Sequence, residues 1–301
     1  MTAKDHQEGL DKIIGNIAGA LENITDERQE AIYKRIKSLL NRYELDIHPN
    51  GRIKATGANL RKIALIVARL KPYLFTATYK KIIERFSGTF EKVERFNSKW
   101  FRDLDTGFRT TPITRSVKRL AIERTILSIN PEGYREALEN PIREILLKYV
   151  QNGGEILDLS AELEKGIRGV KNAEGDQVKR GYLDTYHWRN RITKDALFQY
   201  SRNYDQVVSE NLGLEWFLYS GGLVDDSRDF CEEKAGKYFH KNEVLSWASQ
   251  SWQGKARGTD ETNIQTMLGG YNCQHSLRPV TLRLVPEDQV QRARDEGYFE
   301  G

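Results

Sequence analysis

Apolar residues recur every three or four positions through most of the first 212 residues, which is the spacing of one face of an α-helix. This pattern predicts a helix over residues 8–41 and a second, amphipathic helix over residues 76–103. The apolar stripe of the second helix consists of Ile83, Phe86, Phe90, Val93 and Trp100. Such a stripe can stack on nucleobases or lie on a membrane, but it is far more typical of a seam between packed helices. We therefore expect these side chains to be buried.

Further helices are predicted over 58–70, 113–128 and 180–212, with shorter ones following Pro131 and Pro141. The polar segment Asp103–Pro112 is expected to interrupt the helices, and Gly213 is a suitable C-cap for the last long one. A small hairpin is expected around Pro49-Asn50-Gly51, and residues 170–178 are polar enough to predict a loop.

The pattern changes after Gly213. Glu215–Ser220 is aromatic and extended, Gly221-Gly222 marks a turn, and a closing strand is predicted over Pro279–Val285. A terminal helix over 286–296 completes this part. The sequence thus predicts a mainly α fold with a C-terminal α+β module: a helical, partner-docking part over 1–212, with a candidate sub-boundary near 103–112, and a compact mixed domain over 213–301.

Charge separates the same two parts. The chain has 301 residues and a net charge of +4; residues 1–212 carry +8 and residues 213–301 carry −4. A basic helical part could bind double-stranded DNA without sequence preference, although an ordinary solvated surface explains the same excess. The candidate DNA contacts cluster after the break at 103–112; they are Arg109, Arg115, Lys118, Arg119 and Arg124.

Other features limit the class of protein. The longest wholly apolar run, Ile63–Ala68, is far too short to cross a bilayer, so we expect no membrane partner. The first residues contain no apolar segment typical of a secretory signal. Two cysteines are too few for a disulfide-stapled scaffold and are consistent with a reducing compartment.

Both cysteines lie in the C-terminal module together with two histidines. Cys231, His240, Cys273 and His275 form a candidate set of four ligands for a structural zinc ion. The spacing of Cys231 and His240 is long for a paired ligand loop, and buried thiols with hydrogen-bonded histidines explain the same residues. A Cys231–Cys273 disulfide is a third alternative. The sequence alone leaves all three open.

An enzymatic site is the alternative interpretation of this cluster, because acidic residues such as Asp225 and Asp229 surround it and could support metal-assisted hydrolysis. The spacings of a metalloprotease, a serine hydrolase, a P-loop and a dinucleotide-binding loop are all missing. We therefore expect no catalytic residues. The runner-up function is a nucleic-acid-processing or protein-modifying enzyme that uses the Cys/His/Asp cluster.

Four segments of the module occur in an order that resembles a known family. They are Trp216–Gly222, Asp226–Cys231, Gly236–His240 and Gly269–His275. In this order they resemble the C-terminal module of phage Mu F-like minor head proteins, also called phage head-morphogenesis proteins. The resemblance covers about residues 150–285, and its structural motif residues are Asp226, Arg228, Gly236 and Asn272. Gln274 departs from the family, which often has Arg at that place.

The resemblance implies a minor capsid protein of a tailed bacteriophage, present in few copies per virion. Its expected partners are the phage portal protein and other head proteins, and its expected role is in head morphogenesis and in packaging or delivering DNA. The implied location is the interior of the head or the portal region, after assembly in the cytoplasm of the host bacterium.

Overall fold

The computed structural model describes residues 2–74, 76–105, 107–129, 135–182, 194–225, 227–271 and 273–300. Within these ranges the helices are α1 (Ala3–Tyr43), α2 (Gly57–Leu74), α3 (Ala77–Leu104), α4 (Pro112–Ile129), α5 (Asn140–Gln151), α6 (Ile156–Arg168), α7 (Lys194–Leu212), α8 (Asp229–Lys234), α9 (Lys241–Ser246), α10 (Ile264–Met267) and α11 (Glu287–Asp295). The strands are β1 (Val170–Lys171), β2 (Gln177–Lys179), β3 (Trp216–Ser220), β4 (Tyr238–His240) and β5 (Ser276–Val280). A mainly α fold with a C-terminal α+β module is thereby confirmed.

The apolar stripes of the long helices are largely buried, as their spacing predicts, and Ile83 is partly buried. On α3, Phe86, Phe90 and Val93 are fully buried and Trp100 is nearly so. The break between α3 and α4 falls at residues 105–111, because Pro112 suits the first turn of a helix and cannot continue one. No helix in the described ranges is both long and apolar enough to cross a membrane.

The chain forms two compact units, and each combines distant parts of the sequence. Unit 1 consists of residues 1–18, 86–124 and 193–301, and unit 2 consists of residues 19–85 and 125–192. The boundary expected near residue 213 is not an edge of either unit, and the sub-boundary expected near 103–112 lies inside unit 1. The reason for the first difference is that α7 packs on β5 and α10, so this helix belongs with the module.

Unit 2 is built around helices with an apolar core. Ile36 of α1, Ile66 of α2, Leu146 of α5 and Leu163 of α6 are buried together in it. Ile47 and Ile53 pair across the expected turn, where Gly51 has a φ of +82°. Residues 170–178, which the sequence predicts to be a loop, lie in the antiparallel hairpin β1–β2, which ends at Lys179.

Unit 1 contains the three-stranded sheet of the module, in the order β4–β3–β5, with both pairings antiparallel. In the register, Trp216 of β3 lies opposite His240 of β4 and Val280 of β5. β5 begins at Ser276 and ends at Val280, earlier than the strand expected over 279–285. The sheet places the loop before β5 beside α8, and this is where the cysteines meet.

Candidate metal centre

Three of the four predicted ligands come together in the interior of the module. Cys231 lies on α8, whereas Cys273 and His275 lie in the segment that leads into β5. The two sulfur atoms and a ring nitrogen of His275 are within 4.8 Å of one another, and all three side chains are buried. We call these three residues the Cys–His group.

His240, the fourth predicted ligand, is not part of this group. Its Nε2 lies 3.8 Å from the Glu215 carboxylate, and its ring contacts those of Trp216 and Phe299. The Nδ1 atom accepts from the backbone N–H of Asn242 and caps α9. The four-ligand set expected from the sequence is therefore wrong at His240. The register of the sheet explains this, because His240 lies opposite Trp216 at the far end of β3 from Ser220, whose partner Ser276 follows His275.

The walls of the Cys–His group are closely packed. Tyr219 of β3 donates its hydroxyl to the Cys231 sulfur at 3.3 Å, and its ring lies 5.1 Å from that of His275. A Cβ atom at Gly269 would lie 2.6 Å from the Cys231 sulfur and 3.0 Å from the Cys273 sulfur. Only glycine lets the backbone approach both sulfur atoms so closely.

Arg202 of α7 holds the segment that carries two of the three residues. Its guanidinium donates to the carbonyl oxygens of Thr266, Cys273 and His275, and its side chain is buried. Among the described residues no carboxylate forms an ion pair with it. A buried cation without an acidic partner favours negative charge nearby, and Arg202 accordingly lowers the pKa of the Cys273 thiol.

The pKa values of the two thiols shift in opposite directions. The hydrogen bond between the sulfur atoms, together with burial, raises the pKa of Cys231, and the same bond lowers the pKa of Cys273. Arg202 and His275 also lower the pKa of Cys273, which opposes the effect of burial. Cys273 is accordingly the more acidic of the two thiols and Cys231 the less acidic.

The donor atoms of the group suit zinc in type. Two cysteine sulfurs and one imidazole are ligands that zinc prefers, and the Nε2 atom of His275 is buried with no hydrogen-bond partner among the described residues. His275 Nδ1 lies 3.8 Å from the Cys273 sulfur. A closed structural zinc site uses four protein ligands, and this group supplies three. Within the described ranges no fourth His, Cys or carboxylate lies close enough to join them.

The other motif residues also act inside the module. Arg228 donates to the carbonyl oxygen of Tyr271 at 2.6 Å, so that it joins two of the segments that carry the resemblance. Gly236 adopts a φ of +75°, and its N–H donates to the Tyr219 carbonyl. Asp226 and Asn272 lie outside the described residues.

The five candidate DNA contacts lie on or just before α4, in unit 1. Lys118 forms an ion pair with Glu94 at 2.5 Å, so its charge is already compensated. Arg109 is exposed and donates to the Phe108 carbonyl. Arg115, Arg119 and Arg124 are exposed.

Sequence reasoning missed the buried charges of unit 1. Arg278 of β5 and Asp205 of α7 form an ion pair at 2.5 Å, with side chains 0% and 3% exposed. Burial raises the pKa of Asp205 to about 7, and Arg278 opposes that shift. A signal existed in α7, because Arg202, Asp205 and Ser209 recur at helical spacing beside its apolar face.

Comparison of the chain with protein-family models, with curated proteins and with solved structures finds no match.

Proposed function

We propose that this chain is a minor head protein of a tailed bacteriophage, associated with the portal and involved in head morphogenesis and in DNA packaging or delivery. The proposal starts from the four segments that resemble the Mu F-like module. One observation supports it: all four segments contribute to a single buried core, through Phe217 and Tyr219, Phe230 and Cys231, Phe239, and Cys273. Apolar residues of all four resembling segments thus build the core of the module.

The burial of the Cys–His group favours a structural role over the enzymatic alternative. Cys231, Cys273 and His275 are 2%, 4% and 6% exposed, and aromatic side chains pack around them. A catalytic zinc presents its open coordination position to substrate or water. The Cys–His group also leaves a fourth position free, but its three buried side chains give a substrate no access to it. We therefore propose that the module is a rigid plug or spacer without turnover.

Zinc belongs to this proposal as a structural cofactor. Bound to the Cys–His group, the ion would link α8 to the segment before β5 by covalent coordination. Arg202 holds that segment to α7, so protein contacts alone fix the backbone of two of the three ligands.

The proposed partners are the portal protein, other head proteins and double-stranded DNA, and the proposed location is the head interior or the portal region. The exposed basic side chains of α4 support the DNA contact.

The decisive experiment co-expresses the full chain with the portal protein encoded in the same phage genome. A complex that survives size exclusion, and the presence of the chain in few copies in purified virions, are expected. The control is the portal protein of an unrelated phage, which should not bind. Absence of the chain from virions would overturn the proposal.

The enzymatic alternative is tested on the same purified protein. Incubation with DNA and with host proteins should give no product. Turnover that is lost in His275→Ala while the circular dichroism spectrum is unchanged would replace the structural role with a catalytic one.

A further inference from the structure

A basic cleft lies between α3 and α4 in unit 1, and none of the residues that line it belongs to the Cys–His group. Its volume is about 270 Å³, and side chains from both helices and from the intervening loop line it. The charged residues that line it are Glu91, Glu94, Arg95, Arg102, Arg115 and Lys118. Four cations against two anions give the cleft a net charge of +2.

Two of the four cations are already paired. Arg95 binds Glu91 at 2.7 Å, and Lys118 binds Glu94 at 2.5 Å. These two ion pairs neutralise both carboxylates of the cleft. Neither carboxylate therefore repels an incoming anion strongly. The net positive charge of the cleft therefore belongs to the remaining two residues.

Arg102 at the end of α3 and Arg115 in the first turn of α4 are those residues. Both are exposed, and in the described part of the chain neither forms an ion pair or a side-chain hydrogen bond. Thr110, in the loop that joins the helices, adds a hydroxyl group to the same lining. Two guanidinium groups and a hydroxyl match a tetrahedral oxyanion, because each guanidinium presents paired N–H donors to two oxygens.

We propose that this cleft is a phosphate-binding site in which Arg102 and Arg115 hold one phosphoryl group, either as free phosphate or on the backbone of DNA. Arg119 extends the basic surface on α4, since it lies four residues after Arg115 on the same helical face. The inference deepens the DNA contact of the proposed function and rests on that part of it alone. It also changes the proposed DNA contacts: Arg102 is added, and Lys118 is removed because Glu94 neutralises its charge.

The test compares the full chain with the double variant Arg102→Gln/Arg115→Gln. A matched control, Arg61→Gln/Arg69→Gln, removes two exposed arginines from α2 in the other unit. Inorganic phosphate is titrated by calorimetry, and a 20-base-pair duplex is titrated by fluorescence anisotropy at several salt concentrations. Unchanged circular dichroism spectra establish that all three proteins are folded.

The cleft variant should lose phosphate binding by about tenfold or more, and the control should keep it. If the phosphoryl group is that of DNA, the duplex competes with phosphate, and the slope of log affinity against log salt falls by about 2 in the cleft variant only. Duplex binding that is equal in the two variants, with phosphate binding lost only in the cleft variant, identifies free phosphate as the ligand. Phosphate binding that is absent from the unmodified chain, or equal in the two variants, overturns the proposal. None of these outcomes depends on the portal complex, so the proposed head function can fail or succeed separately.

Discussion

Units 1 and 2 contain ion pairs of the same length in very different surroundings. In unit 1, Arg278 and Asp205 lie 2.5 Å apart, and both side chains are buried. In unit 2, Arg143 and Glu139 also lie 2.5 Å apart, but the arginine is 43% exposed. Water can therefore solvate one partner in unit 2 and neither partner in unit 1.

The difference follows from what each unit packs together. Unit 2 joins helices through apolar faces, and backbone groups within helices satisfy one another. Unit 1 packs a helix against a sheet and an irregular segment, whose carbonyl groups need donors from side chains such as Arg202. Buried charge in unit 1 fixes how these elements fit, and it makes the unit sensitive to the loss of any one partner.

The largest effect is expected from removing metal, because a zinc ion would bind only the folded module. We expect about one zinc per chain, and a chelator should lower the free energy of unfolding by roughly 4 kcal/mol or more, as for a tightly bound ligand. Hydrogen exchange should then rise in unit 1 and stay unchanged in unit 2.

Two variants identify the ligands. Cys273→Ser should lose the metal, whereas His240→Gln should keep it, since His240 lies outside the Cys–His group. Metal content near zero, together with melting that a chelator does not change, would leave packing and hydrogen bonds as the only role of the group.

The two ion pairs provide the next comparison. Arg278→Met leaves Asp205 buried without its partner and should cost about 3–5 kcal/mol in the free energy of unfolding, measured in urea. Arg143→Met is the matched change in unit 2 and should cost less than Arg278→Met, because Arg143 is 43% exposed and water can take its place beside the Glu139 carboxylate, although that carboxylate is itself only 5% exposed. Equal losses in the two variants would remove the distinction between the units.

Much of the helical framework was predictable, because helical periodicity is a local property. The seam on α3, the break before Pro112 and the C-cap at Gly213 follow from spacing and residue type alone. The hairpin at 170–179 was missed because its strands are two and three residues long, too short to show an alternating pattern.

The residue types of the candidate site were predictable from the sequence, but which of the cysteines and histidines come together was not. Cysteine and histidine types indicated a metal set, yet His240 and His275 can be told apart only by the register of β3 with its neighbours. Arg202 was not predictable either, because its acceptors are backbone carbonyls, which leave no mark in the sequence.

A smaller effect is expected from pH, through a histidine buried in unit 1. His6 is fully buried beside Phe96 and Trp100, and burial, with a further contribution from Arg278, lowers its pKa to about 2. In the unfolded chain the pKa is near 6.5, so the unfolded state takes up a proton first as the pH falls. The stability is complete above pH 6.5 and declines below it, by about 2 kcal/mol between pH 7 and pH 5.

Asp205 titrates over an overlapping range with the opposite sign, because its folded pKa is raised. The measurement therefore compares unfolding curves of the unmodified chain and of His6→Phe at both pH values. The stability of His6→Phe should not show the decline toward acid pH that His6 causes. His48→Gln, at an exposed site in unit 2, should behave like the unmodified chain. A pH dependence that is the same in all three proteins would contradict a buried neutral His6.

The smallest effect is a difference in proteolysis between one exposed segment of each unit. The hairpin over residues 170–179 in unit 2 is exposed from Lys171 onward, and a pair of such short strands is only marginally stable. The loop over residues 253–262 in unit 1 is anchored: the Lys255 amine donates to the carbonyl oxygens of Ala248 and Gln250, and Ala256 is buried. Cleavage requires local opening of the chain, and opening costs less free energy where fewer such contacts must break.

Trypsin at a low ratio to the protein should therefore cut first at Lys171 or Lys179, several-fold faster than at Lys255, as fragment masses would show. First cleavage at Lys255 would reverse this order, and first cleavage at Lys92 would contradict the packed seam of α3.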